Sequence, residues 1–362
     1  MVTVKPHVLI MAGGTGGHVF PALAVADELR SRGVQVSWMG TQAGLESRVV
    51  PAAGLPIHYI KVSGLRGNGF VGWLLAPVKL SVAIIQALLI VIKIKPAAVL
   101  GMGGFASGPG GVAAWLLRRP LVLHEQNAVM GMTNKLLSYM ATRVMEAFPG
   151  AFKDQMAECV GNPIRKNISD LPEPQQRFSQ REGAIRILVI GGSLGAQALN
   201  ETVPQAISML SDSMKLEIWH QSGRNKEDTT RALYEKNKAS AKVVSFVEDM
   251  AEAYAWADLV ICRAGALTIS ELSAVGVAAI FIPFPHAVDD HQTLNAQYLV
   301  EAGAAKLIQQ KTLTAELLST CVRELIDAGR HQLLNMAVAA RTCAKPNATR
   351  DVANACLEVA NG

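Results

Sequence analysis

The sequence is poor in charge and in the signatures of metal and covalent chemistry. Only 17% of its 362 residues are charged, against 50% hydrophobic. Two domains of α/β type, each with its own core of buried parallel strands, suit that length and balance. The five cysteines, Cys159, Cys262, Cys321, Cys343 and Cys356, show no C-x-x-C spacing and no disulfide framework, and read as reduced thiols in a cytoplasmic protein. H-E-x-x-H and D-x-D are both absent, so neither a zinc site nor the usual metal–diphosphate carboxylates are visible, and no metal or cofactor is expected. No P-loop occurs. The opening Met1–Pro6 lacks the order of a signal peptide. A net charge of +5 permits attraction to an anionic lipid or substrate without deciding for either, and nothing points to nucleic acid.

Against these absences stands one rich stretch, His7-Val8-Leu9-Ile10-Met11-Ala12-Gly13-Gly14-Thr15-Gly16-Gly17-His18-Val19-Phe20-Pro21. Val8–Met11 reads as a buried parallel strand, the glycines as a tight turn open to close ligand approach, and Ala22–Leu29 as part of a helix. Free N–H groups at such a helix start bind anions. His18 is the one side chain of the turn suited to acid–base work, and helix-start packing is its bland alternative. The dinucleotide fingerprint does not fit. Gly14 and Gly16 are followed by Val19 where a third glycine belongs, and the second strand, Val34–Gly40, carries no carboxylate for a ribose.

Strands are expected at 7–11, 34–39, 57–60, 97–101, 120–124 and 142–146, with helices between them. A second glycine-rich turn, Gly101–Gly111, follows the fourth of these, at the strand ends where α/β sheets bind ligands. The apolar segment Phe70–Ile92 admits three readings: a membrane span, a buried crossover helix, or a surface helix resting on a membrane with Trp73 and Lys79 at its rim. Lys79, Pro77, Ser81 and Gln86 argue against the span.

The polar run Leu171–Arg177, after Gly161-Asn162-Pro163, reads as an interdomain linker. The opening pattern then recurs as Ile185–Ala196 followed by a helical run, so that two similar doubly wound domains are expected. Further strands are expected near 215–220, 242–245, 258–262, 278–282 and 305–308, and a last amphipathic helix over Thr349–Ala360.

Five more places offer chemistry. Gly191-Gly192-Ser193-Leu194-Gly195 is a second phosphate cradle or a packing turn. In Cys262–Glu271, Thr268 and Ser270 sit where helix caps belong, and Glu271 falls in the first helical turn, either to complement the helix dipole or to hold a ribose diol. In Pro283–Ala296, Gln292 and Asn295 suit sugar hydroxyls, or else Asp289 or Asp290 merely caps a helix among solvated neighbours. His124-Glu125-Gln126-Asn127 ends a strand at the ligand edge, and Arg165 at the domain boundary is either a diphosphate clamp or a surface arginine.

GGTGGHVFPALAVA, GMGGFASGPGG, HEQNAVMGMTNK, VGNPIR, GGSLGA, RAGALTISE and DDHQTLNA together resemble the MurG family, in its order and across essentially the whole chain. The resemblance implies a GT-B architecture, two Rossmann-like doubly wound domains with a cleft between them. Residues 1–163 would form the acceptor- and membrane-facing domain, with 346–362 packing back on it, and 164–345 the UDP-sugar domain. It implies an inverting transfer of N-acetylglucosamine from UDP-GlcNAc to the C4 hydroxyl of the muramoyl sugar of lipid I. The product would be lipid II, for the wall synthesis that cell shape and division draw on. The place would be the cytoplasmic face of the bacterial inner membrane, with a peripheral hold on its anionic surface.

Carried over, the donor contacts fall on Thr15, Gly16, Gly17, Asn127, Arg165 and Ser193. They continue at Val247 through backbone contacts to uracil, at Ala266, Leu267, Thr268, Ile269, Ser270 and Glu271, and at Gln292. Glu271 would take the ribose diol, Ser193 with Arg165 the diphosphate, and His18 the acceptor proton as general base. Two positions depart from the family pattern: Ala264 stands where serine is common, and the loop 285–292 varies in length. The residues agree with that chemistry, since displacement at an anomeric carbon needs a base opposite the leaving group. Two rivals remain at this point: a UDP-GlcNAc 2-epimerase, and a non-catalytic nucleotide-sugar-binding membrane subunit.

Overall fold

Val8–Met11, apolar on every residue, is fully buried because helices cover both faces of the sheet it centres. The computed structural model describes residues 6–62, 76–152, 157–179, 181–192, 194–210 and 214–361. It divides into two compact units, Met1–Arg165 with Lys345–Gly362, and Lys166–Ala344.

The first unit's strands are β1 (His7–Met11), β2 (Gln35–Gly40), β3 (Ile57–Tyr59), β4 (Ala98–Gly101), β5 (Leu121–Glu125), β6 (Arg143–Glu146) and β7 (Glu158–Cys159). They lie in the order β3-β2-β1-β4-β5-β6-β7, and the chain direction across the sheet reverses between β1 and β4. Strand pleating sends alternate residues to opposite faces. Val8 and Ile10 pack with Val25 and Leu29 of the helix Gly16–Ser31 and with Val352 and Cys356 of the helix Ala348–Asn361. Leu9 and Met11 pack on the other face with Ala87 and Val91 of the helix Ala76–Ile94 and with Ala113 of Ser107–Leu116. Each buried Val, Leu, Ile or Met among them contributes about 1.5–3 kcal/mol of transfer free energy.

The helix Ala76–Ile94 buries only a narrow stripe, Ala76, Ala83, Ala87 and Val91. Val78, Leu80, Val82, Ile85, Leu89 and Ile92 are exposed, and Trp115 and Leu116 of the neighbouring helix are exposed beside them. By length and composition this helix is apolar enough to cross a membrane. Residues 70–75 of the expected segment, Trp73 among them, lie outside the described residues. The buried-crossover reading fails on that exposure, since the small residues face the sheet and the large ones face out.

The second unit repeats the plan with β8 (Ile185–Ile190), β9 (Leu216–Gln221), β10 (Lys242–Val244), β11 (Leu259–Cys262), β12 (Ala278–Phe281) and β13 (Ala305–Leu307). Its order, β10-β9-β8-β11-β12-β13, reverses between β8 and β11. The strand β7 was not expected, and the remaining strands begin or end within a residue or two of the expected bounds.

The stretch expected to be an interdomain linker is part of the second unit. Pro174–Phe178 is a short helix whose Phe178 enters the core, and Arg177 Nη2 donates to Val275 O at 2.9 Å. The polar residues that mimic a linker thus satisfy carbonyls at the end of the helix Ala266–Val275. Nearby, Arg181 and Arg330 converge on Asp258, which is fully buried and also accepts from Arg186 N at 3.0 Å. A buried carboxylate held by two guanidinium groups needs all of these partners.

Candidate active site

In the first unit, the turns after β1 and β4 meet where the strand order reverses. Met102 N donates to Met11 O at 2.8 Å, and the Ser107 hydroxyl donates to Met11 O and Gly103 O at 3.0 and 2.7 Å. Gly104, at φ +85°, lies so close to Gly13 that an added Cβ would sit 2.4 Å from Gly13 O. Two backbones approach this closely only without side chains between them.

Thr15 takes the N-cap position of the helix Gly16–Ser31 in extended geometry, and no side-chain cap bond is made. The N–H groups of Gly16 and Gly17 have no carbonyl within the helix to reach, whereas those of His18 and Val19 bond Thr15 O at 3.2 Å. His18 follows, with Nδ1 3.3 Å from Gly13 O. A carbonyl only accepts, so Nδ1 carries the proton and the basic lone pair is on Nε2. Arg165 lies with its guanidinium carbon 5.6 Å from the centroid of Phe20, a neighbour of His18 on the same helix. The structure therefore brings Thr15, Gly16, Gly17, His18 and Arg165 to one end of the first unit.

Asn127 belongs to a loop shaped by Glu125. Glu125 Oε1 accepts from Asn127 N and Nδ2 at 3.0 and 3.2 Å, and Oε2 accepts from Gly131 N and Asn134 Nδ2 at 3.0 and 2.9 Å. Glu46 does the same for the glycine turn, accepting from Gly14 N and from Thr41. Sequence reasoning missed both carboxylates as organisers. The signal available was weak: acidic residues, each beside glycine- or asparagine-rich turns, in segments where a charge has no solvent to face.

In the second unit, β11 feeds Gly265, the N-cap of the helix Ala266–Val275. Two expectations are corrected here. Thr268 and Ser270 are inside the helix and do not cap it; the Ser270 hydroxyl donates back to Ala266 O at 3.0 Å. Glu271 stands in the second turn, beyond the first-turn reach of the dipole, because the helix opens on Gly265 and Ala266. It is 4% exposed, and Tyr254 Oη donates to its Oε2 at 3.0 Å. The Ile269 side chain is fully buried and its N–H is bonded to Gly265 O at 3.0 Å, so it supports the helix. Ala266 is buried, and Leu267 and Thr268 are half-buried.

Gln292 opens the helix His291–Glu301, and its Oε1 accepts from Phe284 N at 2.9 Å. Asn295, fully buried, donates to Ala264 O at 3.3 Å. Asp290 stands at the N-cap of that helix but makes no side-chain cap bond to its backbone: Asp289 and Asp290 are both left-handed, and the Asp290 carboxylate accepts from the Thr293 hydroxyl at 2.7 Å. Val247 is buried just ahead of the helix Met250–Trp256, which Asp249 caps. Ser193 lies outside the described residues. Among the described residues, no three His, Cys, Asp or Glu side chains gather in a way that would hold a metal ion.

Residues 8–146 match the glycosyltransferase family 28 N-terminal domain and residues 186–354 its C-terminal domain. A protein of Chromohalobacter salexigens is 54% identical over 353 residues, 97% of this chain and 96% of the relative. It is named UDP-N-acetylglucosamine–N-acetylmuramyl-(pentapeptide) pyrophosphoryl-undecaprenol N-acetylglucosamine transferase. The crystal structure of Acinetobacter baumannii MurG superimposes with a TM-score of 0.85 at 45% identity, over 98% of this chain and 100% of that one. The chain belongs to the MurG family. It has the GT-B fold of that family, and the glycosyltransferase class follows with it. A Neisseria meningitidis UDP-GlcNAc 2-epimerase bound to UDP-GlcNAc also superimposes, at a TM-score of 0.66 but 12% identity over 98% of this chain, which is a likeness of fold alone. In this MurG-family chain the two sheets share one strand order, and each places a glycine turn at its point of reversal.

Proposed function

We infer that this chain is the N-acetylglucosaminyltransferase that converts lipid I to lipid II. The observation that carries the reading is His18, its tautomer set by Gly13 O, in a chain more than half identical over nearly its full length to proteins named for that transfer. The 2-epimerase alternative has only fold likeness behind it.

In the reaction, His18 Nε2 takes the proton of the acceptor's C4 hydroxyl as O4 attacks the anomeric carbon of the donor. The bond from that carbon to the diphosphate oxygen breaks, UDP leaves with the electron pair, and the new linkage is β. The developing charge on the leaving group needs fixed donors, and a helix-start N–H and a guanidinium such as Arg165 are of that kind. Thr15, Gly16, Gly17, Asn127, Arg165 and Ser193 are assigned to the donor's sugar and diphosphate. Val247 and the helix residues Ala266 to Glu271 are assigned to its nucleoside, and Gln292 to sugar hydroxyls. Glu271 holds the ribose diol, with the Tyr254 hydroxyl steadying one carboxylate oxygen.

We also assign the helix Ala76–Ile94 to an anionic membrane surface, on the cytoplasmic side where lipid I is glycosylated. Its support is the outward row of large aliphatic side chains, with exposed Lys79, Lys93 and Lys95 on the same helix and its end. Incubation with UDP-GlcNAc and a diphospholipid-linked muramoyl peptide tests the main reading. A β-1,4-linked disaccharide lipid is expected; free N-acetylmannosamine or its UDP derivative with no disaccharide would contradict it.

A further inference from the structure

Behind His18 runs a chain of hydrogen bonds to which the transfer above assigns no role. It begins at Gly161 O, which can only accept, so His124 Nε2, 2.8 Å away, carries that ring's proton. His124 is fully buried, and burial drives its pKa down to about 4. The ring is therefore neutral near pH 7, and Nδ1 presents a lone pair. One end of the Gln126 amide lies 2.9 Å from that Nδ1 and 3.1 Å from His124 O. Facing two acceptors, this end must be the NH2 group, so the tautomer of His124 fixes which way round the amide stands.

The other end is then Oε1. Gln126 is 1% exposed, and its Oε1 has no hydrogen-bond partner among the described residues. An added Cβ at Gly103 would sit 3.0 Å from His18 Nε2 and 3.4 Å from Gln126 Oε1. Both atoms thus border the space that the missing side chain of Gly103 leaves. A buried carbonyl oxygen without a donor is costly, and one fixed beside the general base calls for a donor from the substrate.

We propose that Gln126 Oε1 accepts a hydrogen bond from the C6 hydroxyl of the acceptor's muramoyl sugar and thereby turns its C4 hydroxyl onto His18. The inference rests on the transfer reading above. His18 takes the only proton of the C4 hydroxyl, so the amide oxygen must find another donor on the same ring. On a muramoyl diphospholipid C1 bears the diphosphate and C3 a lactyl ether, neither of which offers a proton. The C2 acetamide is separated from C4 by C3 and its lactyl ether. The hydroxymethyl group on C5 is the one O–H donor beside the reacting position.

The test compares a lipid I analogue with its 6-deoxy counterpart, using the full chain and its Gln126→Met variant at saturating donor. For a lost hydrogen bond with a buried partner, wild type should lose about tenfold in kcat/KM on the 6-deoxy acceptor. Gln126→Met should lose about as much on the full acceptor and nothing further on the 6-deoxy one, because the two changes remove the same contact. KM for UDP-GlcNAc should stay unchanged. Losses that multiply overturn the proposal, as does a wild type indifferent to the 6-hydroxyl, an arm that needs no folded variant. Transfer to neither acceptor overturns the underlying reading, and this inference with it.

Discussion

Glu46 Oε2 accepts a hydrogen bond from Gly14 N at 3.0 Å and so ties the turn that carries His18 to a fully buried carboxylate. The same carboxylate holds Thr41 through its N–H at 2.9 Å and its hydroxyl at 2.8 Å. Glu46→Ala leaves those donors without their acceptor. It should lower the stability of the first unit by about 2–4 kcal/mol and slow turnover roughly tenfold or more, with a smaller change in donor KM. Urea unfolding and steady-state kinetics on one preparation check both halves.

The second unit makes the complementary prediction. If Glu271 holds the ribose, Glu271→Ala should raise KM for UDP-GlcNAc by about tenfold or more, with a lesser effect on kcat. Tyr254→Phe removes only the hydroxyl that steadies Oε2 and should raise it about threefold. Calorimetric titration with UDP reads the same order without the chemistry.

These two carboxylates show where the sequence is legible. Strand, glycine turn and helix can be read at 7–31 and again at 185–208 because buried parallel strands are continuous apolar runs and glycine punctuates them. His18 is visible because it is the one titratable side chain in such a turn. Glu46 is not: its partners lie on backbone groups brought to it by folding, and no spacing encodes that. The run Leu171–Arg177 misleads for a related reason. Its polarity is satisfied by distant carbonyls, so local composition reports a linker where Arg177 and Phe178 are building the second unit. The Ala76–Ile94 helix has the composition of a core helix, and only the position of its small residues toward the sheet reveals that the large ones face outward.

That outward face predicts a membrane phenotype. Ile85→Asp and Leu89→Asp, both at exposed positions, should leave thermal stability within about 0.5 kcal/mol of wild type. Each should weaken binding to anionic vesicles by about tenfold or more, since each removes an aliphatic worth about 1.5–3 kcal/mol on burial. Vesicle sedimentation measures this, and unchanged sedimentation of the double variant would remove the face from the account.

Acid should unsettle the second unit through His220. Its ring nitrogens lie 2.9 Å from Tyr234 Oη and 3.1 Å from Asn200 Oδ1, and burial lowers its pKa to about 3. An unfolded histidine titrates near pH 6.5, so between the two values the unfolded chain binds the proton that the folded one refuses. The stability that comes from the neutral ring is complete above about pH 6.5 and is lost as the pH falls toward 3. At pH 5 the loss is about 2 kcal/mol. Between pH 7.5 and pH 5, wild type should therefore lose about 2 kcal/mol more than His220→Gln in urea unfolding. Parallel losses would contradict the assignment of this proton.

The central claim is that His18 takes the acceptor's proton. Its most direct test is UDP release from UDP-GlcNAc, with and without a lipid I analogue, in wild type and His18→Ala, with chelator present throughout. Release should depend on the acceptor, survive the chelator, and fall about 10²–10⁴-fold in the variant while UDP affinity is kept. Undiminished acceptor-dependent release in His18→Ala would contradict it, and so would release without acceptor accompanied by 2-epimerised sugar.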